Sequence, residues 1–314
     1  MAGGEKAKSS GEYGEKIVKN LLEFFGWKNY NSGVTVPCVY QKEHKKKGRE
    51  KSEKHGIDYV YQYQSPLRDT TRHDVLISVK CRDGYPKMEK GIKNKFKEFL
   101  VDIAFASECY PACELGKRKM HGTNKKICSS LIFWIDRNRD DGREKEAVID
   151  KIGGFFLKEE CHYDTVALID NNRAQFLYTA IRFAKTKYGE DNCKFFYINT
   201  GLNNSSLNRK YSGTILPYEY LNSDVLPMAI NQNNQNALLL LVKDKFCEEY
   251  LRRLIGLAQE ITSDWVANIL IAFPNYKEFE DGESVISAKS EFTDSSFTDK
   301  ITVLTYEPDF RDEV

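Results

Sequence analysis

The sequence predicts an α/β protein: a core in helix–strand–strand–strand–helix–strand order, a mixed sheet flanked by helices, followed by a second α/β domain. Three observations predict it. Apolar residues recur at three- and four-residue spacing near residues 11–26 and 90–107, as helices buried on one face require. Between them lie runs rich in Val, Ile, Tyr and Phe, such as YVYQYQ and DVLISVK, with the composition of strands. The chain has 314 residues, enough for two cores of ordinary size.

The first helix is GEYGEKIVKNLLEFFG, with Ile17, Leu21, Leu22 and Phe25 on one face and Gly26 as its stop. VTVPCVY reads as a strand. QKEHKKKGREKSEK, dense in charge and free of apolar residues, reads as a mobile surface loop. A hairpin follows over residues 55–80, its turn marked by Ser65, Pro66 and Asp69-Thr70-Thr71. The second helix turns Phe96, Phe99, Leu100 and Ile103 inward and its lysines outward. SLIFWID, 130–136, is continuously apolar, as in a strand covered on both faces. The polar RNRDDGREKE then loosens the chain. From about 164 the pattern restarts as one βαβ unit: TVALID, the helix NNRAQFLYTAIRFAKTKYG, and KFFYINTG. NQNNQN reads as a linker; a helix over about 244–262, VANILIAF and ITVLTY complete the second domain. The division expected is 1–157 and 158–314.

The longest apolar run, ALLLLV at 237–242, is far too short to span a membrane. MAGGEKAKSS lacks a signal-peptide core, so a cytoplasmic location is expected. Eight irregularly spaced cysteines read as reduced thiols. Cys109, Cys113, His121 and Cys128 have a loose metal spacing, but they lack the paired CxxC of a zinc site and read as ordinary thiols. No Gly-rich phosphate loop with its lysine is present, which excludes P-loop nucleotide hydrolysis. Asp170-Asn171-Asn172 reads as helix-capping chemistry.

The net charge of +1 hides an asymmetry. Residues 1–157 hold 31 Lys/Arg against 22 Asp/Glu, a balance of +9; the remainder holds 16 against 24, a balance of −8. A basic half suits a polyanion, because neutralising phosphates releases counterions. An acidic half suits solubility or docking to a basic partner.

Chemistry concentrates in residues 12–97. Side chains alternate faces along a strand, so in RHDVLISVK Ser78 and Lys80 share a face, and pairing with the preceding strand can bring Asp58 beside them. Glu15 can reach the same cluster if the first helix packs on the sheet. Carboxylates with a lysine at a sheet edge suit metal-assisted phosphodiester hydrolysis: hard oxygens hold Mg²⁺, and the lysine steadies the charge growing on the phosphate.

Glu15 … Gly56-Ile57-Asp58 … Ser78-Val79-Lys80, in helix–strand–strand order, resembles the PD-(D/E)XK nuclease superfamily, whose restriction-endonuclease-like core has the order read above. The resemblance implies that Asp58 is the metal aspartate and Lys80 the catalytic lysine. Glu15 is similar to the helix-borne glutamate of resolvase-type members. The fuller run from GEYGEKIV through GWKN, SGVTVPC, GIDYVYQYQSPL and ISVK is similar to the nuclease subunit of a two-gene antiphage defence system associated with phage-satellite elements. This implies a DNA substrate, an Mg²⁺ or Mn²⁺ cofactor and a second protein subunit encoded nearby; oligomerisation of that complex stays open. Ile57 replaces the motif's proline. Ser78 replaces its second acidic residue, and a hydroxyl is a poorer Mg²⁺ ligand; Glu15, the Val79 carbonyl, Asp74 or Asp83 would have to complete the shell. The rival readings are a catalytically weak or inactive nuclease fold kept as a binding or scaffold subunit, and a nuclease acting on RNA such as tRNA. Phosphate contacts are expected from the basic loop, through Lys45, Lys46, Lys47 and Arg49, and from Lys93 and Lys97 on the second helix.

Overall fold

The computed structural model describes residues 2–45, 50–138, 147–154, 162, 164–204, 209–232, 235–262 and 266–307, with side chains from residue 11 onward except that of Gln232. Two compact units divide the chain at residues 175 and 176, within one helix.

The first unit is a five-stranded mixed sheet with helices on both faces. Its elements are α1 (Ala2–Phe24), β1 (Asn31–Pro37), β2 (Lys54–Gln64), β3 (Thr71–Arg82), α2 (Glu89–Cys109), a short α3 (Glu114–Lys117), β4 (Lys125–Asp136) and β5 (Val166–Ile169). The strands lie in sequence order; β2 is antiparallel to both β1 and β3, and β3, β4 and β5 are parallel. The parallel step from β3 to β4 needs a crossover, and α2 supplies it. Ile92, Phe96, Phe99, Leu100 and Ile103 of α2 pack on Ile132, Trp134 and Leu168 of the sheet. On the other face, Val18 and Leu22 of α1 and Phe25 just after it are fully buried. There Trp27 stacks on Tyr61 at 5.0 Å, Tyr61 on Tyr63 at 5.2 Å, and Tyr63 on His73 at 5.4 Å.

The second unit holds the rest of α4 (Asn171–Tyr188), then β6 (Cys193–Phe196), β7 (Ser212–Gly213), β8 (Val225–Gln232), β9 (Gln235–Val242), α5 (Glu248–Thr262), β10 (Asn268–Phe273), α6 (Glu278–Ser290), α7 (Ser295–Thr298) and β11 (Ile301–Thr305). They form a sheet of order β11-β10-β9-β8-β6-β7, parallel from β9 to β11. α5 buries Leu251, Leu254, Ile255 and Ala258 against Leu238, Leu240, Ile269 and Ile271.

Three sequence readings change. TVALID does not open a βαβ unit: it forms β5, at the edge of the first sheet, while β6 belongs to the second sheet and runs antiparallel to β8. A strand–helix–strand pattern does not say which sheet each strand joins, and the apolar face of VALI completes the cover over α2. In NQNNQN, Asn231 and Gln232 end β8 and Gln235 and Asn236 begin β9, which pair as a hairpin rather than a linker; residues 233 and 234 lie outside the described residues. In QKEHKKKGREKSEK, His44 and Ser52 are buried rather than solvated.

Candidate active site

The β2–β3 hairpin forks. Their pairing runs from Gln64–Arg72 to Tyr59–Ile77 and stops there. Beyond it β2 continues only with β1, through Ile57–Val34 to Lys54–Pro37, and β3 only with β4, through Ser78–Ile132 to Arg82–Asp136. Gly33, between the β1 pairs that flank Asp58, takes φ +59°, a conformation that glycine adopts freely and that lets β1 turn there.

Asp58 stands in the crotch of this fork. Its Oδ2 accepts the Val79 N–H at 2.6 Å, so a side chain replaces the ladder bond that β2 would otherwise supply. In an extended strand a residue's N–H and C=O point to the same side, so the Val79 carbonyl faces the fork as well. Ser78, Val79 and Lys80 are all half-buried. The Lys80 ammonium lies 5.4 Å from the centre of the Phe99 ring, on the α2 face, where the aromatic stem of the site is fixed by Phe99 against Trp134.

α1 brings Glu15 to the same end of the sheet. The helix crosses β3 so closely that a Cβ at Gly14 would overlap Cys81 Cβ. Glycine at 14 therefore sets the approach that places the next residue. The Tyr59 hydroxyl donates to the Glu15 main-chain carbonyl at 3.3 Å. Burial pushes the Tyr59 phenol up to about 12, helped by the negative charges of Glu15, Tyr30 and Asp58 in that order. Both carboxylates thus act on one phenol, although no hydrogen bond joins the exposed Glu15 side chain to Asp58, Ser78 or Lys80.

The two reserve carboxylates are occupied. Asp74 is fully buried and takes Arg72 Nε at 2.6 Å, with a second bond from Arg72 Nη2. Asp83 pairs with Arg137 across the end of the sheet. Neither completes a metal shell at Ser78. Lys45 is exposed, whereas Lys46, Lys47 and Arg49 lie outside the described residues. Lys93 pairs with Glu89 at 2.6 Å, and Lys97 is half-buried. Asp170 caps α4, its Oδ1 accepting the Arg173 N–H at 2.8 Å, the capping expected of that triplet.

The family profile described as the GAPS4 protein PD-(D/E)XK nuclease domain matches residues 1–173, more than half of the chain. The chain belongs to that family. No curated protein and no solved structure matches it. The matched span of this PD-(D/E)XK nuclease domain ends within two residues of the first compact unit, and β5 lies inside both. Among the described residues, no helix is long and apolar enough to cross a membrane.

Tyr59 and Gly14 escaped the sequence reading. Tyr59 had a signal, an aromatic directly after the motif aspartate; Gly14 had none, because its need is set by Cys81, 67 residues away in sequence.

Proposed function

We infer that the chain is a metal-dependent nuclease that hydrolyses DNA phosphodiester bonds, as the effector subunit of a bacterial antiphage defence complex with a second protein subunit. The observation that carries this is the fork. It opens the sheet at Asp58 and Val79, one residue before Lys80, and the chain is a member of a nuclease family.

The donor set fits a hard divalent cation. Asp58 is held by one oxygen to the Val79 N–H and keeps lone pairs for a metal, the Val79 carbonyl adds a neutral oxygen, and Glu15 adds a second carboxylate within electrostatic range of Tyr59. A bound Mg²⁺ or Mn²⁺ supplies charge neutralisation at the phosphate and a more acidic water. Lys80, steadied over Phe99, donates to the attacking water or to a phosphate oxygen as charge develops there. Ser78 contributes a hydroxyl beside the scissile group, and Lys45 with the lysines of α2 contacts flanking phosphates without reading sequence. The acidic second unit is reserved for the partner or for sensing.

Ser78, in place of a carboxylate, supports a second reading: a nuclease fold that grips nucleic acid without cutting it. One experiment separates the readings. The full chain, alone and with its partner, is incubated with linear and circular DNA and with tRNA, in Mg²⁺ or Mn²⁺. Cleavage of DNA supports the first reading, cleavage of tRNA alone moves the substrate to RNA, and binding without cleavage in any condition establishes the second.

A further inference from the structure

A second cluster of metal-ligating atoms lies apart from Asp58, and the nuclease reading does not use it. Cys38 just after β1, His44 in the turn that follows, His55 near the start of β2 and Cys109 at the end of α2 all turn inward. All four are buried, and one ligand atom from each falls within 4.8 Å of every other.

The separations are those of a tetrahedron around a metal. With Zn–S bonds of about 2.3 Å and Zn–N bonds of about 2.0–2.1 Å, tetrahedral ligands stand apart by about 3.3 Å (N to N), about 3.5 Å (N to S) and about 3.8 Å (S to S). Here His44 Nδ1 is 3.4 Å from His55 Nε2, 3.6 Å from Cys38 Sγ and 3.5 Å from Cys109 Sγ, and the two sulfurs are 3.9 Å apart. That sulfur separation is nearly twice a disulfide bond.

The surroundings are those of a structural metal site. His44 turns its other nitrogen, Nε2, to Glu108 at 2.9 Å, the carboxylate–histidine pairing that fixes the tautomer leaving Nδ1 free to ligate. The Val39 N–H donates to Cys109 Sγ at 3.4 Å, a bond that a metal-bound sulfur can keep. Phe105 stacks on the His44 ring at 4.1 Å, and Cys38 and Cys109 share one apolar cluster with Val36, Ile57 and Ala106. Four protein ligands of sulfur and nitrogen, closed from solvent, select Zn²⁺ over the hard cations that suit Asp58.

We propose that Cys38, His44, His55 and Cys109 bind one structural Zn²⁺ that pins the β1–β2 connection to the end of α2. His44 and His55 bracket the basic segment 45–54, so the ion fixes both ends of the part of the chain richest in lysine. The assignment replaces the looser group Cys109, Cys113, His121 and Cys128. Of that group only Cys109 joins the cluster: Cys113 caps α3, Cys128 meets Ser107, and His121 is exposed.

The test uses the full chain purified without added metal and without chelator. Elemental analysis gives about one zinc per chain, as closed sites hold their ion through purification. Asp58→Asn leaves that value unchanged, which separates this ion from any at the fork. Cys38→Ser and Cys109→Ser each lower it at least tenfold. Where these variants fail to fold, the wild type itself decides. Replacement of the bound metal by Co²⁺ gives the visible bands and thiolate charge-transfer absorption of a tetrahedral S₂N₂ site, and a strong chelator releases two thiols per chain. A folded chain free of zinc with no Co²⁺ spectrum, or a Cys38–Cys109 disulfide in the native protein, overturns the site and leaves the nuclease reading standing.

Discussion

At the turn end of the β2–β3 hairpin, Arg72 and Asp74 are 3% and 0% exposed and answer each other through two hydrogen bonds. Gln62 adds a bond to Asp74 at 3.3 Å and others to Tyr110 and Leu115. At the open end, Asp58 and Lys80 are half-buried, and among the described residues neither enters an ion pair. The same two strands therefore carry charge in two ways. A buried charge that is fully paired belongs to the fold, and its removal is read in stability. A partly exposed charge fixed by one main-chain bond, at a point where the ladder opens, keeps coordination capacity for something else. A polar residue inside a strand is thus a weak sign of function; an unspent one at a fork is a stronger sign.

The largest expected effect breaks the comparison at its structural end. Asp74→Ala leaves Arg72 buried without its partner and is expected to cost about 3–5 kcal/mol in denaturant unfolding. A loss under about 1 kcal/mol would mean that the pair does not hold the hairpin.

The next is pH-dependent. His73 sits between the Tyr63 hydroxyl at 3.2 Å and Ser129 Oγ at 2.9 Å, and burial, with Arg68 nearby, holds its imidazole down to about 3. The unfolded chain binds this proton near pH 6.5 and the folded chain does not, so His73 favours folding fully above that pH. The advantage fades by about 1.4 kcal/mol for each pH unit below 6.5, until the folded value near 3 is reached. His73→Gln should flatten that slope between pH 6 and 4 in urea titrations, and equal slopes would contradict the assignment.

The smallest effect sharpens the open end. Ser78→Glu adds a carboxylate on the face that Lys80 shares, and Mn²⁺ affinity measured by calorimetry should rise several-fold, whatever happens to turnover. Unchanged affinity would place position 78 away from the metal.

Much of the nuclease half was legible because its signals are local. The periodicity of α1 and α2, the hairpin and the alternation that aligns Ser78 with Lys80 all lie within windows of about twenty residues. What was not legible depends on distant partners. Nothing in TVALID says that it pairs with Ile132 and Phe133 rather than with the strand after α4. Cys38, His44 and His55 share one connection, but their fourth partner, Cys109, comes from the far end of another helix. A histidine inside a lysine-rich segment was the one local hint. Asp83 looked available in sequence because Arg137 meets it only once β3 and β4 are aligned; Arg72, two residues before Asp74 on the same strand face, was a local sign that Asp74 is occupied.

The measurement that tests the central claim most directly is DNA cleavage by Asp58→Asn and Lys80→Ala in the full chain, alone and with the proposed second subunit, each beside its own unfolding curve. The fork assignment predicts that both lose cleavage by at least about a hundredfold, the scale of losing a positioned charge or proton donor, while unfolding as cooperatively as the wild type. Wild-type cleavage by either variant would contradict it and move the chemistry away from the fork.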